Sequence, residues 1–184
     1  MAASPSEMIP LGTKATDFQL LDTVSGDIKS LSELKSDKGT VIMFICNHCP
    51  YVIHVNEQLV KLAADYQPKG IAFIAISSND AINYPQDGPA EMKKAAQRLG
   101  YPFPYLYDES QETAKAYHAV CTPDFFLFDS DLKCVYRGQL DESRPGNGKP
   151  VTGKELRAAL DAVLANEAPL AIQKPSIGCS IKWK

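Results

Sequence analysis

Cys46 and Cys49 are separated by two residues and lie where an apolar run changes to a helical pattern. This spacing places both sulfurs in the first turn of a helix, where free backbone N–H groups and the helix dipole favour a thiolate over a thiol. Thiols in such motifs have pKa values of ~3.5–7.5 instead of the usual ~8.5. The pattern predicts thiol–disulfide chemistry, with Cys46 as the ionised nucleophile near the surface and Cys49 as the more buried resolving thiol.

His48 and Pro50 fit the same interpretation. A protonated His48 adds positive charge beside the cysteines, which further favours the thiolate and makes a disulfide more oxidising. Pro50 lacks an N–H group and is tolerated in a first helical turn. Two structural cysteines, or half of a zinc site, are the alternatives. A closed zinc site needs four ligands, and the sequence holds no second CxxC and no HxxxH pattern, so no metal is expected.

Two buried strands and a helix must position the cysteines. Residues 41–45 and 71–76 are continuous apolar runs, which is typical of strands covered on both faces. Residues 50–66 between them repeat apolar side chains at helical spacing. Strand, helix and strand of this length form a βαβ unit with a right-handed crossover. The cysteines then lie at the carboxyl end of its first strand.

The other elements are predicted from turn residues and periodicity. We expect a hairpin over 18–22 and 27–31, a capped helix over 31–36, a loop over 77–89, helices over 90–99 and 111–117, a second hairpin over 125–128 and 133–137, and a last helix after 152. The short strand 103–107 contains Pro104 and is therefore expected at a sheet edge. Residues 1–14 are predicted to be a loose arm, 15–168 the domain, and 169–184 an irregular tail.

Composition and charge indicate an ordinary globular chain. It has 184 residues, of which 45% are hydrophobic and 22% charged, and its net charge is −3. One domain of this size buries a sizeable core, and nothing indicates a nucleic-acid or membrane partner. The N-terminus has neither a basic start nor an apolar stretch, and five cysteines are too few for a disulfide scaffold. We therefore expect a cytoplasmic protein.

A second landmark leads to a family resemblance. Thr122-Pro123 comes just before the second predicted hairpin, long after the strand, CxxC, helix and strand. This order resembles the thioredoxin superfamily, and the leading hairpin from Ala15 onward is similar to its redoxin, TlpA-like and peroxiredoxin-like branch. The resemblance runs from about residue 10 to 166. The run CNHCPY and the ending GCSIKW, residues 178–183, are also similar to a peroxiredoxin-like thioredoxin group with a CNHCP motif.

The resemblance implies an α/β thioredoxin-like fold, with a central mixed sheet, flanking helices and an N-terminal β-hairpin extension. It also implies a cis peptide before Pro123, packed against the CxxC, and a backbone at Thr122 that is open to an extended substrate. Thr122 and Pro123 are then the substrate-binding residues, and Cys46 and Cys49 the catalytic ones. His48 and Cys121 are possible modulators.

The predicted function is that of a thiol–disulfide oxidoreductase without a cofactor. Its substrate is expected to be a disulfide-containing protein or a small thiol, and its reductant a thioredoxin system or glutathione. The alternatives are an antioxidant thiol peroxidase, a copper or zinc module that uses Cys46 and Cys49 with His48 or Cys121, and a domain whose CxxC is incidental. Peroxiredoxins carry Thr or Ser three residues before their reactive cysteine, where this chain has Met43.

For two further cysteines, Cys121 and Cys179, the sequence leaves a reactive and an unreactive role open. Cys121 lies two residues before Pro123 and is either a third functional thiol or a buried small apolar residue; the second interpretation is favoured. Cys179 lies in the predicted tail, where it is either an extra resolving thiol or idle, and the idle interpretation is favoured.

Overall fold

The computed structural model describes residues 3–184. The strands are β1 (Ala3–Pro5), β2 (Gln19–Asp22), β3 (Ile28–Ser30), β4 (Gly39–Phe44), β5 (Ile71–Ser77), β6 (Tyr105–Tyr107), β7 (Cys121–Thr122), β8 (Asp124–Asp129), β9 (Cys134–Gly138) and β10 (Ile177–Ser180). The α-helices are α1 (Leu31–Leu34), α2 (Pro50–Tyr66), α3 (Pro89–Leu99), α4 (Glu112–Ala116) and α5 (Lys154–Leu164). The predicted βαβ unit is therefore confirmed as β4, α2 and β5.

A seven-stranded mixed sheet forms the centre of the molecule, in the order β3-β2-β6-β5-β4-β8-β9. Strand β5 is parallel to β4 and β6, whereas β8 is antiparallel to both β4 and β9. The leading hairpin of β2 and β3 extends this sheet beyond β6. The predicted α/β fold with a central mixed sheet and an N-terminal hairpin is confirmed.

Both faces of the central sheet are covered, which explains the continuous apolar runs. Along β4, Val41 and Met43 point into a core cluster that contains side chains of α2, α3 and α5. Ile42 and Phe44 point to the opposite face, into a cluster that includes residues of α1 and α4. Because successive side chains of a strand face opposite sides, a strand between two helical layers has no polar side. Its end is a rigid support for the cysteines.

The prediction that strand 103–107 lies at a sheet edge is wrong. Strand β6 lies between β2 and β5. Pro104 precedes the first residue of the strand, so its missing N–H group removes no hydrogen bond from the ladder. Its carbonyl oxygen still accepts a hydrogen bond from the backbone N–H of Ala75 at 3.1 Å.

The predictions of a loose arm over 1–14 and an irregular tail over 169–184 are wrong for residues 3–5 and 177–180, which form strands; residues 1 and 2 lie outside the described part of the chain. Strands β1 and β10 form a second sheet with β7, in the order β1-β10-β7. Cys179 lies opposite Thr122 and Ser180 opposite Cys121 in the antiparallel pair. Gly178 permits this approach, because a Cβ atom there would overlap the carbonyl oxygen of Thr122. The sequence carries no alternating pattern in either segment, since these strands are only three and four residues long.

None of the helices within residues 3–184 is long and apolar enough to cross a membrane.

Candidate active site

The CxxC motif lies between β4 and α2. Cys49 is the N-cap residue of α2, and Pro50 is the first residue of the helix. Both cysteines belong to the core cluster on the α2 side of the central sheet. Cys49 is 0% exposed and Cys46 only 3%. Cys49 is the more buried of the two, as predicted, but Cys46 is not the exposed tip that the spacing suggested.

Thr122 contacts both cysteines. Its hydroxyl oxygen lies 3.5 Å from the Cys46 sulfur, and its carbonyl oxygen lies 3.2 Å from the Cys49 sulfur. The Thr122–Pro123 peptide bond is cis. The structure thus brings Thr122 to the cysteines from 76 residues away in the sequence. Its backbone edge, however, is paired with β10 of the same chain. The predicted role of Thr122 and Pro123 in binding an extended substrate stays a prediction.

Residues 78–88, which we call the cap segment, lie against the two residues between the cysteines. The Asp87 carboxylate accepts a hydrogen bond from the backbone N–H of Asn47 at 2.8 Å and lies 2.5 Å from Nδ1 of His48. The Asn47 side-chain amide donates to the carbonyl of Gln86 at 2.8 Å. The ring of Tyr84 stacks on that of His48, with 5.6 Å between ring centroids. The cap segment therefore covers the residues between the cysteines, and a carboxylate oxygen of Asp87 lies within 4.8 Å of the Cys46 sulfur.

The surroundings of Cys46 hold it in the thiol form. Its sulfur donates a hydrogen bond to Cys49, it is buried, and the carboxylate of Asp87 adds a nearby negative charge. Each of these raises the pKa of Cys46, and the hydroxyl of Thr122 opposes them only in part.

The surroundings of Cys49 favour the thiolate. The thiol of Cys46 donates to it, and the thiol of Cys179 and the backbone amides of Val52 and Cys179 add further donors. Together they lower the pKa of Cys49 to about 5, although burial acts in the opposite direction. Cys49 faces the thiols of Cys46 and Cys179 and two backbone amides against one carbonyl, that of Thr122, whereas Cys46 faces one hydroxyl and a carboxylate. These contacts favour the negative charge on Cys49. The role of Cys46 as the ionised nucleophile stays a prediction.

Cys179, for which the sequence favoured an idle role over that of an extra resolving thiol, lies in the site. Its sulfur lies 2.9 Å from the sulfur of Cys49, across 130 residues of sequence. Burial and the hydrogen bond to Cys49 raise the pKa of Cys179 to about 12. The sequence could not decide between the two roles, because the proximity of Cys179 to Cys49 depends on a strand pairing that was not predicted.

Asp87 and Tyr84 were not predicted as site residues, since the sequence of the cap segment indicates an ordinary polar loop.

Cys121 lies in β7, fully buried, and burial raises the pKa of its thiol. It is opposite Ser180 in the second sheet. These facts agree with the favoured interpretation of Cys121 as a buried small residue.

One group of potential metal ligands occurs within residues 3–184. A ligand atom from each of Cys46, His48 and Asp87 lies within 4.8 Å of the other two. The set expected for a metal module differs, because it combined Cys46 and Cys49 with His48 or Cys121. Three ligands of this group would leave a fourth position open for zinc. In the structure, the Nδ1 atom of His48 is already paired with Asp87.

The fold and the cysteine pair define the class. The chain has a thioredoxin-like fold, with a CxxC motif at the N-terminus of the helix that follows β4. Residues 11–137 match the model of the AhpC/TSA family, and the chain belongs to that family. Fold and family together support an oxidoreductase function.

Several solved structures are similar to this chain. An uncharacterized conserved protein from Geobacillus kaustophilus is 64% identical, with a TM-score of 0.99 over 100% of this chain and 97% of that one. A hypothetical protein from Sinorhizobium meliloti 1021 is 49% identical, with a TM-score of 0.95 over 98% of each chain. The thioredoxin domain of a thiol-disulfide oxidoreductase from Bacteroides vulgatus is 20% identical, with a TM-score of 0.61 over 74% of this chain and 91% of that domain. The last similarity concerns the fold alone.

Proposed function

We propose that this protein is a thiol–disulfide oxidoreductase in which Cys46 and Cys49 alternate between a dithiol and a disulfide. One observation carries the proposal: the CxxC pair lies at the start of α2, and Thr122, which precedes the cis bond to Pro123, contacts both sulfurs. The lowered pKa of Cys49 agrees with it. A thiolate is then present at neutral pH in contact with a second thiol, which is the condition for disulfide exchange.

The roles of the two sulfurs follow from burial and charge. Cys46 is the sulfur nearer the surface, and the Cys49 thiolate accepts its proton when a disulfide approaches. Cys46 then forms a bond to one sulfur of the substrate, and the other substrate sulfur leaves as a thiolate, which takes the proton from Cys49. Ionised again, Cys49 attacks Cys46 and releases the remaining substrate thiolate. The protein gains one disulfide, and the substrate disulfide is reduced to two thiols.

The access route favours small disulfides. The backbone edge of Thr122 is paired with β10, and the cap segment lies over His48. An extended protein segment would have to displace β10, whereas a small disulfide needs only a local opening near Cys46. We propose glutathione or a thioredoxin system as the reductant, in the cytoplasm, as the sequence led us to expect.

A single-turnover experiment tests the proposal. Reduced protein is mixed with oxidised glutathione, and released glutathione is measured together with the mass of the tryptic peptide of residues 39–61, which contains both cysteines. We expect this peptide to lose two hydrogen masses as two glutathione molecules are released. Cys46→Ser should remove the reaction. Cys134→Ser is the matched control, because Cys134 is buried in β9, outside the site.

Two results would contradict the proposal. In the first, the peptide keeps both thiols while oxidised glutathione remains. In the second, the Cys46→Ser variant reduces oxidised glutathione at the rate of the unmodified protein. If hydrogen peroxide oxidised Cys46 quickly and disulfides did not, a thiol peroxidase would replace the proposed function.

A further inference from the structure

Cys49 contacts two thiols, and the mechanism above uses only one of them. The Cys179 sulfur lies 2.9 Å away, compared with ~2.05 Å for a disulfide bond. Both residues are buried, with Cys179 4% exposed. A shift of less than about one ångström therefore brings the two sulfurs to bonding distance.

The position of Cys179 is set by the backbone rather than by a flexible end. Strand β10 lies between β1 and β7, with Cys179 directly opposite Thr122. The pairing continues beyond the strand, since the backbone N–H of Ile181 donates to the carbonyl of Val120 at 2.9 Å. The same sheet that covers Thr122 thus holds a third sulfur against Cys49.

We propose that Cys179 is a third reactive thiol of this site, which exchanges the Cys46–Cys49 disulfide for a Cys49–Cys179 disulfide. The inference rests on the proposed function, because the starting disulfide is its product. The Cys179 sulfur attacks the Cys49 sulfur; the Cys46–Cys49 bond breaks, Cys46 leaves as a thiolate, and the proton given up by Cys179 passes to Cys46. One disulfide is present before and after, so the step needs no oxidant.

The exchange places the sulfur that reacts with the substrate and the sulfur that reacts with the reductant on different residues. Cys46 returns to the thiol form, while the oxidised pair moves to Cys49 and a residue on β10. An electron donor then attacks Cys179 instead of Cys46; the two sulfurs belong to residues that are 4% and 3% exposed, so either attack needs a local opening. The substrate and the reductant would use different sulfurs of one cluster.

Peptide mapping tests this exchange. Trypsin releases Cys46 and Cys49 in peptide 39–61, Cys121 in peptide 116–133 and Cys179 in peptide 158–182. The reduced Cys46→Ser variant is treated with diamide, which oxidises two thiols to one disulfide, and is then blocked with iodoacetamide and digested. We expect peptides 39–61 and 158–182 to be joined in most of the protein. Cys121→Ser in the same background is the control and should leave this link unchanged.

The unmodified protein, oxidised with one equivalent of diamide, should contain both the internal disulfide of peptide 39–61 and the link to peptide 158–182. The inference fails while the proposed function stands if only the internal disulfide forms and Cys46→Ser remains unlinked. Both fail if the unmodified protein forms neither bond and does not reduce oxidised glutathione.

Discussion

The two sulfurs of the CxxC motif lie in unlike surroundings. Cys46 donates a hydrogen bond to Cys49, is buried and lies near the Asp87 carboxylate, and these raise the pKa of Cys46. Around Cys49 the chain places two thiols and backbone amides, and the pKa of Cys49 is lowered to about 5. Besides the hydrogen bond between the two cysteines, the cap segment adds a carboxylate beside Cys46, and β10 adds a thiol and a backbone amide beside Cys49. The difference teaches that two sulfurs three positions apart can have opposite pKa shifts, and under the proposed function the inner sulfur holds the charge of the reduced pair.

The largest expected effect separates the outer sulfur from the inner one. Cys49→Ser removes the resolving thiol, so a mixed disulfide with glutathione should accumulate at Cys46 on treatment with oxidised glutathione. Cys46→Ser should accumulate none, because Cys49 is fully buried. Intact-protein mass spectrometry reads the added glutathione directly. Equal amounts of mixed disulfide in both variants would show that the two sulfurs are equally accessible.

The second prediction concerns the stability gained from a disulfide between Cys49 and Cys179 on β10. Once Cys46→Ser has been oxidised, the Cys49–Cys179 link joins residues 130 positions apart and restricts the unfolded chain. We expect its free energy of unfolding in urea to rise by about 2–4 kcal/mol over the reduced variant. Cys46→Ser/Cys179→Ser, treated identically, should show no increase. A link that forms without stabilising the fold would mean that it strains the β7–β10 pair.

The third prediction moves β10 itself. In Gly178→Ala the new methyl group meets the Thr122 carbonyl, so β10 must shift away from β7. We expect a loss of about 1–3 kcal/mol in unfolding free energy, and slower formation of the Cys49–Cys179 link in the Cys46→Ser background. Ser180→Ala, on an exposed side chain of the same strand, is the matched control. Unchanged linking in Gly178→Ala would contradict the placement of Cys179 by this pairing.

The smallest expected effect concerns the cap segment. Asp87→Asn removes the negative charge near Cys46 and keeps an oxygen acceptor for the Asn47 amide. In the Cys49→Ser background, the pKa of Cys46 should fall by up to about one unit, equivalent to ~1.4 kcal/mol. Asp80→Asn changes a carboxylate of the same segment and serves as the control. If the pKa of Cys46 rose or stayed constant in Asp87→Asn, the carboxylate of Asp87 would not be a cause of the raised pKa.

The central sheet was largely predictable from the sequence, and the second sheet was not. All six residues of β4 and six of the seven residues of β5 are buried, which leaves a clear apolar signal. Strands β1 and β10 pair mainly through their backbones, so their side chains need no alternation. Strand β6 was placed at an edge because Pro104 was counted as part of the strand, whereas the ladder begins one residue later.

For the site, the spacing of Cys46 and Cys49 predicted that both would lie at the start of α2, but not which one carries the charge. Helix geometry suggested Cys46. The groups that add to the hydrogen bond between the two cysteines, Asp87 beside Cys46 and Cys179 beside Cys49, come from segments distant in the sequence. Local spacing holds no information about such partners, because tertiary packing brings them to the sulfurs.

Thiolate absorbance in the ultraviolet, followed against pH, tests the central claim that Cys49 carries the charge of the reduced cluster. The reduced protein should show one thiolate that persists at neutral pH and disappears as the pH falls through about 5. Cys46→Ser keeps a hydroxyl donor and should retain this transition, whereas Cys49→Ser should lose it. A low-pH transition that survives in Cys49→Ser and vanishes in Cys46→Ser would contradict the account.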